Sequence, residues 1–522
     1  MDVIAVARAS WGNTAVRAGG SCYTYGDLVT SAQAIASSLK ASHANGGAKS
    51  PVDNLTGPRV AIMAGPTAEY VAASFAAWLC GGVAVPLCLS NPLPELRYTL
   101  EDAKVSTVLA TSEYIDVLRL LCVDTATELV CIESVQAGCG KGHLTDVPEG
   151  LPTLSHEMAA IMVYTSGTTG RPKGALHTHG SLHAQCISLS QAWHWERSDV
   201  ILHCLPLHHI HGIVNAWICC MHNGATVEFM PKFSPTALWA RAQQEPPVSI
   251  FMGVPTMYSF LLGAYDKMDA QEQLAAVKGI QRLRLMVSGS AACPVPIMKR
   301  WEELTGMRLL ERYGMTEIGM GLSNPYEPAS ERKPGFVGVP LPGQEFKVVP
   351  EEAEAPAAVF VDGPGEARLK GPLLFREYFG RPEATQAAFD EEGYFRTGDT
   401  VQRVDGAWKI LGRSSVDIIK HGGYKLSALE IENHLLEHPD IAEVAVCGVA
   451  DEAYGEHVGA VVVLAPGAPN LDVAALRSWA KEFIAEYKIP RLLKLVESIP
   501  RNTMGKVNKK ELVLVFGLGS EK

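Results

Sequence analysis

The sequence predicts an α/β protein in which a large, multi-layered N-terminal domain is followed by a small, mobile α+β C-terminal domain. Three observations predict it. The 522 residues exceed what one hydrophobic core holds, so two to four packed units are expected. From about residue 59 to 450, short β-branched runs (RVAIM, STVLA, AAIMVY) alternate with helix-length amphipathic segments, the pattern of α/β layers. At ILGRSSVDIIKHGGYK a strand-like run meets adjacent serines and two glycines, a hinge composition that places the boundary between 1–413 and 414–522.

The first of these units carries the most membrane-like stretch, Tyr70 to Leu89. Gly81, Gly82 and Pro86 interrupt it, so a buried helix running into a strand is expected rather than a bilayer span. The start, MDVIAVARAS, lacks a basic n-region with an apolar core, and Asp2 speaks against a transit peptide. The 12 cysteines are scattered without a CxxC pair, which disfavours a disulfide framework and structural zinc and suits a reducing compartment. The expected setting is cytoplasmic, with a mitochondrial or other organellar one if an N-terminal extension exists. Hydrophobic residues at 47% and charged residues at 19%, without long charge runs, exclude disorder. The net charge of −11 argues against a nucleic-acid partner bound through a basic face, though not against a local phosphate pocket.

The segment Tyr164–Gly174, YTSGTTGRPKG, follows the apolar run AAIMV and is the most specific in the chain. Gly167 and Gly170 permit a turn whose backbone N–H groups converge on an anion. Thr165, Ser166, Thr168 and Thr169 add hydroxyl donors and Lys173 adds charge. ATP β- and γ-phosphates are the expected guests. The order G-x-x-x-x-G-K-[ST] is absent, so this is not a P-loop. A lone Gly/Thr loop would read as a surface turn, but eleven patterned residues after a buried strand do not.

Beyond residue 413, Ser427 and Glu430 form a capping-box signature that opens the helix LEIENHLLEH, and a strand EVAVCGV and a second helix AALRSWAKEFIAEY follow. The tail RNTMGKVNKKEL taken alone reads as flexible, solvent-exposed charge. The trio His208, His209 and His211 lacks a separated acidic or cysteine ligand, which disfavours zinc. Trp193 and Trp195 read as core or surface aromatics.

These motifs together resemble the adenylate-forming family of acyl-CoA synthetases, luciferases and carrier-loading adenylation domains. The resemblance rests on the loop above and on LPLHHIHG (205–212), SGSAA (288–292), ERYGMTE (311–317), YFRTGD (394–399), ILGR (410–413), GGYK (422–425) and PRNTMGKVNKKEL (500–512), in the family's order. It implies that ATP and AMP are bound by the loop, by Ser288, Gly289 and Ser290, by Glu311, Tyr313, Gly314, Met315 and Thr316, and by Asp399, Arg413 and Lys506. Within that set, Tyr313 would lie against adenine, Thr316 at the α-phosphate, Asp399 and Arg413 at the ribose, and Glu317 would hold Mg2+, which prefers carboxylate and phosphate oxygens. Lys506 is the implied catalytic lysine, and His209 the implied wall of the acyl pocket. A turn about Ser414–Ser415, where many relatives carry Asp or Lys, would bring Gly422, Gly423 and Lys425 to a CoA pantetheine tunnel.

Arg312, immediately before the YGMTE tyrosine, suggests a substrate with a second carboxylate, since a charge in a desolvated pocket needs a charged donor. The opposing reading pairs Arg312 with Glu311 or Glu302 at the surface. Segments such as VEFMPKFS, GVPTMY and GGYKLSALEIE resemble malonyl-CoA synthetases of the plant type. By that resemblance Arg312 binds the distal carboxylate with His209 and Ser290. The expected reaction is malonate + ATP + CoA to malonyl-CoA, AMP and diphosphate, with methylmalonate or acetate as other acids. A carrier-loading adenylation enzyme and a non-catalytic nucleotide-binding module are the competing classes. The second would have lost Glu317 or Lys506, and both are present.

Overall fold

The computed structural model describes residues 3–44, 57–138, 154–165, 171–350, 363–413, 416–422, 424–501 and 507–517. Ser166, Gly167, Thr168, Thr169 and Gly170 of the phosphate loop, the hinge pair Ser414 and Ser415, Gly423 and Lys506 lie outside the described residues.

Two large sheets organise the N-terminal part. A seven-stranded sheet runs, from one edge to the other, through Glu377–Tyr378, Gly174–Thr178, Ala159–Tyr164, Val83–Pro86, Arg59–Met63, Thr107–Ala110 and Glu128–Cys131. A nine-stranded sheet has a parallel interior built from Thr226–Phe229, Val200–His203, Ile250–Gly253, Leu285–Ser288 and Leu310–Met315. Strands such as VILH and LMVS are buried along their whole length, as parallel strands covered on both faces require.

One core spans both sheets, with the helix Ala68–Leu79 between them. This helix is buried along nearly every face, and its alanines let the sheets approach it closely. Trp78 donates from Nε1 to the Ala160 carbonyl at 2.7 Å and meets Trp217 edge-on at 5.9 Å, so its one polar atom is satisfied inside the core. The stretch from Tyr70 to Leu89 is thus a helix followed by the strand Val83–Pro86. Trp193 and Trp195 are both buried. Among the described residues no helix is long and apolar enough to cross a membrane.

A four-stranded antiparallel sheet, Glu345–Val349, Gly365–Lys370, Phe395–Val404 and Ala407–Arg413, leads to the C-terminal part. There, Ile418–His421, Tyr424–Ser427, Ile441–Asp451, Gly455–Leu464 and Leu492–Leu495 form a five-stranded sheet with its own core. Ser427 Oγ caps the helix Ala428–Leu435 by accepting from the Glu430 N–H at 3.1 Å, while the Glu430 carboxylate takes Lys488 Nζ at 2.8 Å.

Two expectations are revised. The second C-terminal helix is Val473–Ala480, shorter than AALRSWAKEFIAEY, because Ile484 and Ile489 turn back into the core. The basic tail is not simply solvated, because Lys509 opens the helix Lys509–Leu514 and is buried between Asp417 (3.0 Å) and Glu432 (2.6 Å). Those two carboxylates hold the Lys509 ammonium well above its ordinary pKa, outweighing the cost of burial.

Candidate active site

The glycine-rich segment is flanked by two antiparallel strands, Ala159–Tyr164 paired with Gly174–Thr178. Its neck is closed by Thr165 N–H to the Lys173 carbonyl (2.9 Å) and Lys173 N–H to Thr165 Oγ1 (3.3 Å). The returning strand GALHT is buried at its first four positions. Lys173 Nζ sits 4.0 Å from the centre of the Tyr378 ring, a cation–π contact. The Tyr378 hydroxyl in turn donates to Glu317 Oε1 at 2.7 Å.

Thr316 and Glu317 follow the strand Leu310–Met315, and both are buried. The Thr316 carbonyl accepts from His177 Nε2 at 2.8 Å. Burial pushes His177 down to about 4, so its imidazole is neutral and carries the proton on Nε2, the nitrogen facing the carbonyl. Neither His177 nor Tyr378 belongs to a motif legible in the sequence. His177 is signalled only by a polar residue at an inward position of GALHT.

Asp399 and Arg413 face each other across neighbouring strands, with Arg413 Nε donating to Asp399 Oδ1 at 3.1 Å. Tyr313 donates its hydroxyl to Asp399 Oδ2 at 2.5 Å. Burial raises the Asp399 carboxyl, and Arg413 and the Tyr313 hydroxyl oppose that rise. Arg413 N–H also donates to Asp417 Oδ2 at 3.0 Å, so the end of this strand is tied to the carboxylate that Lys509 engages.

The acyl side is built around Arg312, whose side chain is buried. Its Nε and Nη2 have no hydrogen-bond partner within the protein. Glu302 is paired with Arg308 at 2.6 Å, and Glu311, whose Oε1 accepts from the Cys293 N–H at 2.8 Å and whose Oε2 has no hydrogen-bond partner, acts on Arg312 through its charge alone. Burial pushes Glu311 up to about 7, against the Cys293 and Gly335 N–H groups and the Arg312 charge, and it lowers Arg312 to about 9. Arg312 therefore remains a cation near neutral pH.

Gly289 packs directly under the guanidinium, and Ser290 holds a left-handed backbone at φ +69°. Ser290 Oγ lies 3.1 Å from His211 Nδ1. The histidine set against Ser290 is thus His211, at the start of the π-helix His211–Ile218, a helix type common at functional sites. His209 lines a neighbouring cavity of about 590 Å³ with His208, Tyr164, Thr165 and Arg171. Among the described residues no three His, Cys, Asp or Glu side chains converge as a metal site.

The chain matches the AMP-binding enzyme family profile over residues 4–379 and that family's C-terminal domain over 430–506. It belongs to the AMP-binding enzyme family. It is 43% identical to the malonate–CoA ligase of Arabidopsis thaliana over 95% of this chain and 85% of that protein. ATP-bound MatB from Rhodopseudomonas palustris superposes with a TM-score of 0.85 at 31% identity, covering 99% of each chain. A malonyl-CoA ligase in a ternary product complex with methylmalonyl-CoA and AMP gives a TM-score of 0.65 at 36% identity, over 94% of this chain and 97% of that one.

As an AMP-binding enzyme the protein is an adenylate-forming acyl-CoA ligase. The chain superposes more closely on the ATP-bound relative than on the product complex, although the latter is closer in sequence. Gly422 and Lys425 lie on the hairpin Ile418–His421/Tyr424–Ser427, where Gly422 N–H donates to the Tyr454 carbonyl at 2.9 Å and Lys425 is exposed.

Proposed function

We propose that the protein is a malonate–CoA ligase, forming malonyl-CoA, AMP and diphosphate through a malonyl-adenylate. The observation that carries the choice of acid is Arg312, a buried guanidinium with unspent donors beside Gly289 and Ser290. A desolvated cation with open hydrogen-bonding capacity fits a second carboxylate and is poorly suited to an apolar acyl tail. Two relatives, at 43% and 45% identity, are malonate–CoA ligases, which supports the same acid.

In this reading one malonate carboxylate docks on Arg312, helped by Ser290 with His211 or His209. The other is held next to Thr316. Its oxygen forms a bond to the α-phosphorus of ATP as the bond from that phosphorus to the pyrophosphate oxygen breaks. The loop residues Thr165–Gly170 and Lys173 neutralise the departing pyrophosphate, and Lys506 stabilises the negative charge moving between substrate and phosphate oxygens. Tyr313 and Ser288 flank the nucleotide, while Asp399 and Arg413 take the ribose hydroxyls. The Glu317 carboxylate, a hard oxygen donor buried beside Thr316, suits Mg2+, which when bound supplies charge neutralisation at the phosphates.

Residues 414–522 then turn about Ser414–Ser415 and bring Gly422, Gly423 and Lys425 to the adenylate. The CoA sulfur attacks the acyl carbon, and AMP departs. Methylmalonate is a secondary substrate, because one methyl group alters discrimination by only ~1–3 kcal/mol. The cysteines of the described residues, all free thiols, suit a reducing compartment, cytoplasmic or organellar.

Arg312→Ala tests the reading. It should abolish malonate-dependent AMP release while leaving ATP binding intact. Equal loss of activity with acetate and malonate in that variant would remove Arg312 from acid selection.

A further inference from the structure

Both stems of the glycine-rich hairpin are gripped by one helix that belongs to no nucleotide motif. The helix Leu93–Asp102 presents Tyr98 and Asp102, four residues apart and therefore on one face. The Tyr98 hydroxyl donates to the Pro172 carbonyl at 2.7 Å, on the returning stem. Asp102 Oδ2 accepts from the Tyr164 hydroxyl at 2.8 Å, on the outgoing stem. Asp102 Oδ1 accepts from Arg381 Nη2 at 2.6 Å. Arg381 closes the segment whose Tyr378 pairs with Ala175 and whose Phe379 N–H donates to the Gly174 carbonyl at 2.9 Å.

The hairpin and the segment from Tyr378 to Arg381 therefore meet both at Asp102 and at the Lys173–Tyr378–Glu317 chain. Burial and the Asp102 charge hold the Tyr164 phenol far above its ordinary range, so it remains a donor. Tyr98 is stacked on by Arg171 at 5.6 Å and meets Tyr164 edge-on at 6.3 Å, which fixes the direction of its hydroxyl.

We propose that Tyr98 and Asp102 are positioning residues for the triphosphate: they set the separation and tilt of the two hairpin stems, and with them the place of Lys173. This rests on the reading of the loop as the triphosphate site. The consequence is selective. A hairpin held out of register loses contacts to the pyrophosphate portion of ATP but none to AMP, whose α-phosphate, ribose and base are met by Thr316, Asp399 and Tyr313.

The test compares dissociation constants for ATP and AMP, measured by calorimetry with Mg2+ on the full chain, in wild type, Tyr98→Phe, Asp102→Asn and Lys173→Ala. Tyr98→Phe removes one oxygen and keeps the ring. Asp102→Asn keeps an acceptor for Tyr164 but loses the charge that pairs with Arg381. Each should weaken ATP binding by roughly three- to tenfold, the effect of losing one or two well-placed hydrogen bonds, with AMP affinity unchanged. KM for ATP in ATP–pyrophosphate exchange should rise in step. Parallel weakening of ATP and AMP, or no change in either, overturns the proposal while Lys173→Ala still lowers the ATP-to-AMP preference. If Lys173→Ala itself leaves that preference unchanged, the loop is not the triphosphate site and both readings fall.

Discussion

A Cβ placed on Gly289 would stand 2.4 Å from Cζ of Arg312, so the guanidinium occupies space that only glycine leaves open. The obstacle would be the end of a flexible side chain rather than backbone, so Gly289→Ala should fold and displace the arginine. Misplacing a clamp by about an ångström costs up to about 10²-fold in rate. We expect kcat/KM for malonate to fall by about ten- to a hundredfold with ATP affinity preserved, read from steady-state kinetics at varied malonate and fixed ATP. Normal malonate kinetics in a folded Gly289→Ala protein would detach Arg312 from the acid.

Glu311 beside that arginine gives a stability signature with pH. Its folded-state pKa, about 7, is raised above the ordinary 4.5, so the folded state binds a proton there that the unfolded chain has released. The stability associated with this group is full below about pH 4.5 and is lost as pH rises to about 7. Glu311→Gln should remove that component and flatten the urea-denaturation free energy across this window relative to wild type. Superimposable slopes for the two proteins would contradict the shift.

The Tyr378 hydroxyl reaches Glu317 while its ring carries Lys173, and the two functions separate on substitution. Tyr378→Phe keeps the aromatic face and frees the carboxylate. It should raise the Mg2+ concentration for half-maximal adenylation by a few-fold, the scale of one hydrogen bond to a charged group. Glu317→Gln should lower the rate by at least a hundredfold at any Mg2+ concentration. A magnesium titration of AMP release distinguishes the pair, and an unshifted Tyr378→Phe curve would place Mg2+ elsewhere.

Lys509 is the sole cation shown against both Asp417 and Glu432 among the described residues. Removing one member of a buried ionic cluster leaves uncompensated charge, typically at a cost of about 3–5 kcal/mol. Lys509→Met should therefore destabilise the C-terminal part by about that amount, whereas Lys509→Arg should recover most of it. Proteolysis rates in the two variants check this, and equal resistance would show that the carboxylates are satisfied without the lysine.

Much of this was legible in the sequence because adenylation draws on residues close together in the chain. Tyr313, Thr316 and Glu317 occupy five positions of one strand end, and the strand Ala159–Tyr164 is a continuous apolar run. The break in Tyr70–Leu89 likewise sufficed to separate helix from strand. What escaped reading depends on distant pairs. His177 under Thr316, Tyr378 on Glu317 and Asp102 on Tyr164 are joined across 139, 61 and 62 residues. A single histidine, tyrosine or aspartate carries no local signal of such a partner. Lys509 carried no local signal for the same reason, since a basic run looks solvated until two carboxylates are folded around one member. For Arg312 both a surface pair and a buried clamp were open from the text, and the engagement of Glu302 by Arg308 and of Glu311 by Cys293 speaks for the second.

The most direct test of the central claim is CoA-dependent AMP release by the purified chain with ATP and Mg2+ over a panel of malonate, methylmalonate, succinate, acetate and a medium-chain acid. The account predicts the highest kcat/KM with malonate, lower but measurable turnover of methylmalonate, and little with the monocarboxylates. A preference for acetate or the medium-chain acid over malonate would contradict it.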